Sequence, residues 1–423
     1  MQRFFSVTKS FLFLVIVILI FSIVGMASVK YYGQEFFLGS FETWDNDDVK
    51  YLRSAKTFLD KGMLTYNDPE KPTVFIMPGI TLLLSLFATG KSYADAALNF
   101  RIFQMFLQCI NLALVFFIAK KAFNTFVAIC SVIISLFYFA DYYAMNVVLT
   151  EVVFKTLLLL LCGTTMIAFE KRKKRYYIIP GLVFAVSLMF RPTIAMFPVL
   201  VLLVWLIKRY KFEEMFKYGV VVLTILLVFL VPWWVRNYEQ FNRFIPLAFA
   251  TGNPMLQGTY INYKKNPDEE KLIDYSKFKY SPDRDEIVNN QVELDIAKER
   301  LSVLVPKNPK GYLYWYTVGK TVEQWKQPFV WQAPFGLDMS VVIGIHLAIV
   351  FAFILSLFFA IFSRKSVNRF FIFSIIFYFN AVHLPFYAFS RYIYPVMPFV
   401  IMFSSFFIFK IFKLFKLTGD EIV

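Results

Sequence analysis

The side chains of this 423-residue chain best suited to chemistry are carboxylates and cations grouped at the ends of its apolar runs. Residues 43–55 read TWDNDDVKYLRSA and crowd Asp45, Asp47 and Asp48 into one short stretch. Crowded carboxylates raise one another's pKa and a nearby cation lowers it, so such a cluster can hold a base suited to taking a proton from a hydroxyl. The same residues also suit a helix N-cap or a solvated loop start. A second acid, Glu151, opens an apolar run in VVLTEVVFK, after Asp141 closes the run before it. Thr150-Glu151 is an ordinary helix-start signal favoured by the helix dipole, and it is equally placed to face the first acids across a cavity.

Four cations stand at similar boundaries: Lys71 in EKPTVF, Arg191 in LMFRPT, Arg236 in VPWWVRNY and Arg391 in FSRYIYP. Each could simply bind lipid headgroups. Converging on an acidic site, they would suit an anionic phosphate, because a guanidinium fork meets two phosphate oxygens at once. His383 lies near the end of its apolar run and reads more readily as a hydrogen-bonded structural residue than as a catalyst.

The elements that must position these groups are membrane helices. Hydrophobic residues make up 58% of the chain and charged residues 17%, with a mean hydropathy of +0.59, which a soluble domain of this length would not show. A spanning helix needs roughly 20 apolar residues. Ten runs qualify: 11–29, 102–119, 123–140, 149–169, 176–190, 193–207, 218–235, 339–361, 370–388 and 393–412. The run from Val74 to Thr89 is short and carries Pro78-Gly79, so it is expected to be juxtamembrane or re-entrant. The fold class is therefore an all-α polytopic membrane protein, with about ten transmembrane helices, juxtamembrane helices and an outer loop of roughly 100 residues.

Charge sets the orientation. The net charge is +15. The N-terminus, Lys120-Lys121, 170–175, 208–217, Arg364 to Arg369 and the tail from Lys410 together hold 19 basic and 5 acidic residues. The loop 236–338 holds 14 basic and 13 acidic residues, and the loop from Lys30 to Lys71 holds 6 and 8. That asymmetry is the positive-inside rule, so nucleic-acid binding is not needed to explain the charge. It places both termini in the cytoplasm and the chemically interesting residues outside. Three segments follow: an N-terminal module 1–235 with its first outer loop 30–73, an extracytoplasmic region 236–338, and C-terminal helices 339–423. Within the long loop, Ile287, Leu294, Ala297 and Leu301 trace an amphipathic helix expected to end before Pro306. The Tyr- and Trp-rich GYLYWYTVGKTVEQW that follows suits a headgroup boundary. Internal repeats, a glycine-rich phosphate loop and zinc-type spacing are all missing from the sequence, and the three cysteines sit inside apolar runs.

At these residues the chain resembles the GT-C superfamily of membrane glycosyltransferases, in particular the bacterial branch of protein O-mannosyltransferases and the lipid A aminoarabinose transferase. Asp47, Asp48, Tyr51 and Ala55 match the spacing of the family's first outer loop. Lys71-Pro72 matches its Lys-Pro-Pro motif, with Thr73 departing from the second proline. Glu151 stands where the family's second outer acid precedes a helix, and PWWVRNY, GNPMLQG and RYIYPVMP look like its recurring segments.

The resemblance implies an enzyme moving a hexosyl or pentosyl group from a polyprenyl-phosphate donor to an acceptor hydroxyl, with inversion, at the extracytoplasmic face of the cytoplasmic membrane. Asp47 would be the general base, with Asp48 and Glu151 shaping the sugar site. Lys71, Arg191, Arg236 and Arg391 would hold the lipid phosphate, with Tyr51 and His383 lining the same pocket. The acceptor would be a lipid, a protein or a cell-envelope glycan. No cofactor is certain; a divalent cation serves some branches of the family, and three carboxylates could bind one. The rival readings are a transporter or flippase of a lipid-linked sugar and a polymerase or ligase of surface glycans. A transporter would place charges near the bilayer midplane and show repeated halves, whereas a polymerase would lean on arginines and a histidine rather than an acidic first loop.

Overall fold

The computed structural model describes residues 7–32, 35–279, 281, 285–361 and 366–419. Most of the basic N-terminus, Arg364-Lys365 and the last four residues lie outside these. The described residues form helices joined by turns and contain no strand. That is the outcome lipid imposes on an apolar chain, because a helix satisfies its own backbone donors and acceptors. In chain order the helices are α1 (Val7–Tyr32), α2 (Asp47–Lys61), α3 (Gly79–Ala88), α4 (Tyr93–Ala122), α5 (Thr125–Leu136), α6 (Ala140–Ala144) and α7 (Glu151–Lys171). There follow α8 (Ile178–Phe190), α9 (Phe197–Ile207), α10 (Phe212–Phe241), α11 (Gly252–Gly258), α12 (Pro267–Glu270), α13 (Glu286–Lys307), α14 (Pro309–Tyr314) and α15 (Lys320–Trp325). The last four are α16 (Met339–Ile361), α17 (Val367–Val382), α18 (Ser390–Ile393) and α19 (Met397–Gly419).

Six of these are long and apolar enough to cross a membrane: α1, α4, α7, α10, α16 and the run from α18 through α19. The other four runs read as spans from the sequence form the shorter helices α5, α8, α9 and α17. The segment expected to be juxtamembrane holds only the 10-residue α3, which packs on α2 and α4. Two boundaries differ from expectation. Helix α4 begins at Tyr93, ahead of its apolar run, because Ser92 caps it by accepting from the Asp95 amide at 3.1 Å. Helix α13 runs through Pro306 to Lys307. N- and C-terminal segments share one bundle, since α19 packs on both α5 and α16.

One face of α4 shows how irregular backbone survives inside such a bundle. Arg101 Nε donates to Asn146 O at 2.6 Å, and Gln104 Nε2 donates to Met145 O and Val147 O at 3.1 and 2.8 Å. Gln108 Nε2 donates to Asp141 O at 3.0 Å. These residues recur at helical spacing; Arg101 and Gln104 cap carbonyls of the unwound stretch leading to Glu151, and Gln108 reaches the end of α6 ahead of it. Uncapped, each buried carbonyl would cost about 1–3 kcal/mol.

The region 236–338 is fastened to the helices near α3. Glu286, at the start of α13, accepts from the Thr73 hydroxyl at 2.8 Å and the Val74 amide at 2.7 Å. Burial pushes the Glu286 carboxyl above its usual range. Lys320 on α15 is buried and donates to Leu384 O at 2.7 Å, with its ammonium 3.6 Å from the Tyr316 ring centre. Among the described residues no ion pair to it is formed. Burial lowers its pKa from 10.5 to about 7. The unfolded chain therefore binds a proton that the folded chain lacks between about pH 7 and 10.5, and stability rises with pH across that window. Thermal unfolding from pH 6 to 9 is expected to show this rise, and Lys320→Met is expected to flatten it.

Candidate active site

The first site element is the N-terminus of α2. Asn46 caps it, accepting from the Asp47 amide at 2.8 Å, so the acidic cluster does open a helix. Its three acids then part company. Asp45 accepts from the Ser40 amide at 2.9 Å. Asp48 is wholly buried and accepts from the amides of Leu38 and Val49 at 2.6 and 2.8 Å, while burial pushes its carboxyl up. Both brace the loop ahead of the helix. Gly39 lies so close that a Cβ there would come within 2.8 Å of Asp45 Oδ1 and 2.7 Å of Val49 Cγ2. Asp48 thus touches backbone rather than open space, contrary to its expected place in a sugar pocket.

Of the three, only Asp47 forms an ion pair among the described residues. Its Oδ1 accepts a short hydrogen bond from the Tyr66 hydroxyl, and its Oδ2 lies 2.7 Å from Arg391 Nη1. Burial would raise its pKa, but the Arg391 charge and the Tyr66 hydrogen bond outweigh this and hold the carboxyl below its usual range. Arg391 also donates from Nε to Glu151 Oε1, and Arg191 Nη2 donates to the same oxygen. Arg191 Nε reaches Thr150 Oγ1 at 2.9 Å. Asp47, Glu151, Arg191 and Arg391 thus form one continuous chain of ion pairs. The Glu151 side chain is 0% exposed and that of Asp47 32%, so the cluster opens to solvent beside Asp47.

The remaining predicted residues fall into two groups. Tyr51 is buried against Tyr66, ring centres 5.6 Å apart, within reach of the Asp47 and Arg391 charges. His383 is buried, hydrogen-bonded through Nδ1 to Phe379 O at 2.7 Å and stacked at 4.8 Å on Tyr392, the neighbour of Arg391. Lys71 and Arg236 stand apart from the cluster. Lys71 is 66% exposed and pairs with Asp68 at 3.3 Å. Arg236 donates to Thr73 O at 2.7 Å and Asn237 Oδ1 at 3.0 Å, tying α10 to the segment before α3.

Sequence reasoning missed three residues. Tyr66 carries no signal beyond being polar, and Thr150, legible as part of a helix start, gives no sign that it meets Arg191. Lys155, next to the site, does carry one, since a charge four residues inside an apolar span is a flag in its own right. It forms a buried ion pair with Asp141 at 2.7 Å. The divalent cation that the resemblance admits does not fit this arrangement. Arg391 occupies the space between Asp47 and Glu151, and no group of three or more His, Cys, Asp or Glu among the described residues is placed to hold a metal.

A family model described as dolichyl-phosphate-mannose-protein mannosyltransferase matches residues 76–235. Among solved structures, an Archaeoglobus fulgidus oligosaccharyltransferase in the apo form superposes with a TM-score of 0.57 at 14% identity, over 99% of this chain and 52% of that one. The AglB oligosaccharyltransferase of that organism, in complex with an inhibitory peptide and a dolichol-phosphate, gives 0.55 at 12% identity, over 99% and 52% of the two chains. ArnT from Cupriavidus metallidurans, bound to undecaprenyl phosphate, aligns more loosely, with a TM-score of 0.41 at 12% identity over 95% and 77%. The search of curated proteins gives no match. The chain spans about half the length of the archaeal structures it matches. It is an all-α multi-pass membrane protein with the fold of those archaeal oligosaccharyltransferases, and with the mannosyltransferase model matching 76–235 this agrees with the resemblance drawn from its sequence.

Because Glu151 neutralises two guanidinium groups in a buried place, removing its charge leaves both underpaired. Glu151→Gln is expected to lower the unfolding free energy by about 3–5 kcal/mol, seen as a lower thermal midpoint of the detergent-solubilised protein.

Proposed function

We propose that the chain transfers a sugar from a polyprenyl-phosphate carrier to an acceptor hydroxyl, at the extracytoplasmic face of the cytoplasmic membrane. The observation that carries this reading is Arg391 held between Asp47 and Glu151, with Arg191 on the far side of Glu151, in a GT-C fold. Two carboxylates and two guanidinium groups sum to no net charge, so an arriving phosphate must draw the arginines from their present partners. Arg191 and Arg391 are the phosphate-holding cations in this reading; Lys71 and Arg236, engaged elsewhere, are not.

The competition for Arg391 has a chemical consequence. At rest Asp47 is ionised and a weak base because Arg391 and Tyr66 stabilise its charge. A phosphate that pulls Arg391 toward itself removes part of that stabilisation and makes Asp47 more basic when a base is needed. The acceptor oxygen attacks the anomeric carbon from the face opposite the phosphate, its proton passes to Asp47, and the carbon–oxygen bond to phosphate breaks. The bonding pair leaves with polyprenyl phosphate, whose growing charge the two arginines meet. Attack opposite the leaving group inverts the anomeric centre.

The test is a panel of polyprenyl-phosphate sugars offered to the protein in nanodiscs with lipid, peptide and glycan acceptors. Release of polyprenyl phosphate coupled to one sugar supports the reading, and Asp47→Asn is expected to slow that release roughly 100- to 10,000-fold with the fold retained. Full activity in Asp47→Asn would remove it as the base.

A further inference from the structure

Below the ion-pair cluster lies a second polar group, enclosed by helices and not used in the chemistry above. Lys155 Nζ lies 2.7 Å from Asp141 Oδ1 and 3.1 Å from the Tyr394 hydroxyl. Tyr394 donates to the same Asp141 oxygen at 2.8 Å, and Gln108 Nε2 donates to Tyr394 Oη at 2.8 Å. The Lys155 side chain is 1% exposed and that of Asp141 10%. A buried ion pair is weak evidence for stability, since desolvation offsets its Coulomb gain, so its presence in an apolar bundle calls for another reason.

Position in the chain supplies it. Lys155 lies four residues after Glu151 on α7, and Tyr394 three residues after Arg391, in the 3-10 turn that continues α18; residues at those spacings share a helix face. Asp141 therefore ties together the turn beneath Glu151 and the turn beneath Arg391. Glu151 and Arg391 come from chain segments 240 residues apart and must meet within hydrogen-bond distance. We infer that Asp141, Lys155 and Tyr394 are positioning residues, which fix the register of α7 against α18 so that the Glu151–Arg391 pair meets the substrate in reactive geometry. This rests on the transferase reading and adds residues outside the site to it. Errors of about 1 Å in a reacting arrangement cost roughly 100-fold in rate, so a small slip between the two turns would be felt in turnover.

The experiment compares transfer kinetics and thermal midpoints of the full chain in nanodiscs for Asp141→Asn, Lys155→Met, the Asp141→Asn/Lys155→Met double variant and Tyr394→Phe. Each charge-removing single variant leaves a lone buried charge and is expected to lose stability. The double variant leaves none and is expected to regain the wild-type midpoint while its kcat stays at least tenfold down. Its KM for the donor is expected to change less than its kcat, because both phosphate-holding arginines remain and only the placement of Arg391 is disturbed. Tyr394→Phe, which loses only the hydroxyl, is expected to lower kcat several-fold at constant KM. A double variant with wild-type stability and wild-type kcat overturns the inference and leaves the transferase reading standing. A wild-type chain that transfers no sugar from any carrier removes both. A parallel fall of kcat and thermal midpoint across all four variants marks the group as merely structural and also overturns it.

Discussion

The structure turns on a carboxylate that water cannot reach. Glu151 is fully buried, and an ionised carboxylate in such a place must be paired or it will take up a proton. Arg191 and Arg391 pair it, and each must be brought there from a distant part of the chain. That requirement fixes the start of α7 against the turn between α8 and α9 and against α18. Because Arg391 has a second donor nitrogen, it also binds Asp47 and draws the first turn of α2 into the same place. One desolvated charge thus organises four segments separated by up to 344 residues.

The bundle around it is shaped by the same scarcity of water. The stretch between α6 and α7 leaves the helical path just before Glu151, and the guanidinium and amide groups of Arg101 and Gln104 take over the hydrogen bonds that helix would have supplied, with Gln108 on the same face of α4 reaching Asp141 O in α6. Tyr394 then joins this polar face of α4 to Asp141 and Lys155. Polar side chains within the bundle therefore serve placement, while the region 236–338 is fastened at two places, through Glu286 to the segment before α3 and through Lys320 to Leu384.

Much of this was legible in the sequence, and the parts that were not share a cause. The spans are readable because an apolar run long enough to cross lipid has few other uses. Asp47, Glu151, Arg191 and Arg391 stood out because charges at span ends are costly and few. Their partners could not be read, since pairing depends on which turns face one another. By residue type Arg236 looked equal to Arg191, yet it holds the backbone at Thr73, and Lys71 lies in solvent beside Asp68. Asp48 adjoins Asp47, but a step of one residue along a helix turns a side chain by about 100°, which sends it to the Leu38 amide instead. Lys155 is visible as a charge inside a span, but its pairing with Asp141 depends on how the chain folds back between them. The start of α4 lay ahead of its apolar run because a serine cap, not hydropathy, decides where a helix begins.

The transferase reading requires the carrier's phosphate to sit at Arg191 and Arg391, the half-buried cations beside Glu151. The most direct measurement is a structure of the full chain in nanodiscs with polyprenyl phosphate bound, locating its phosphorus. The account predicts phosphate oxygens within hydrogen-bond distance of Arg191 and Arg391, with Arg391 drawn away from Asp47. A phosphate seated at Arg236 and Lys71, or at the opposite ends of the helices, would contradict it.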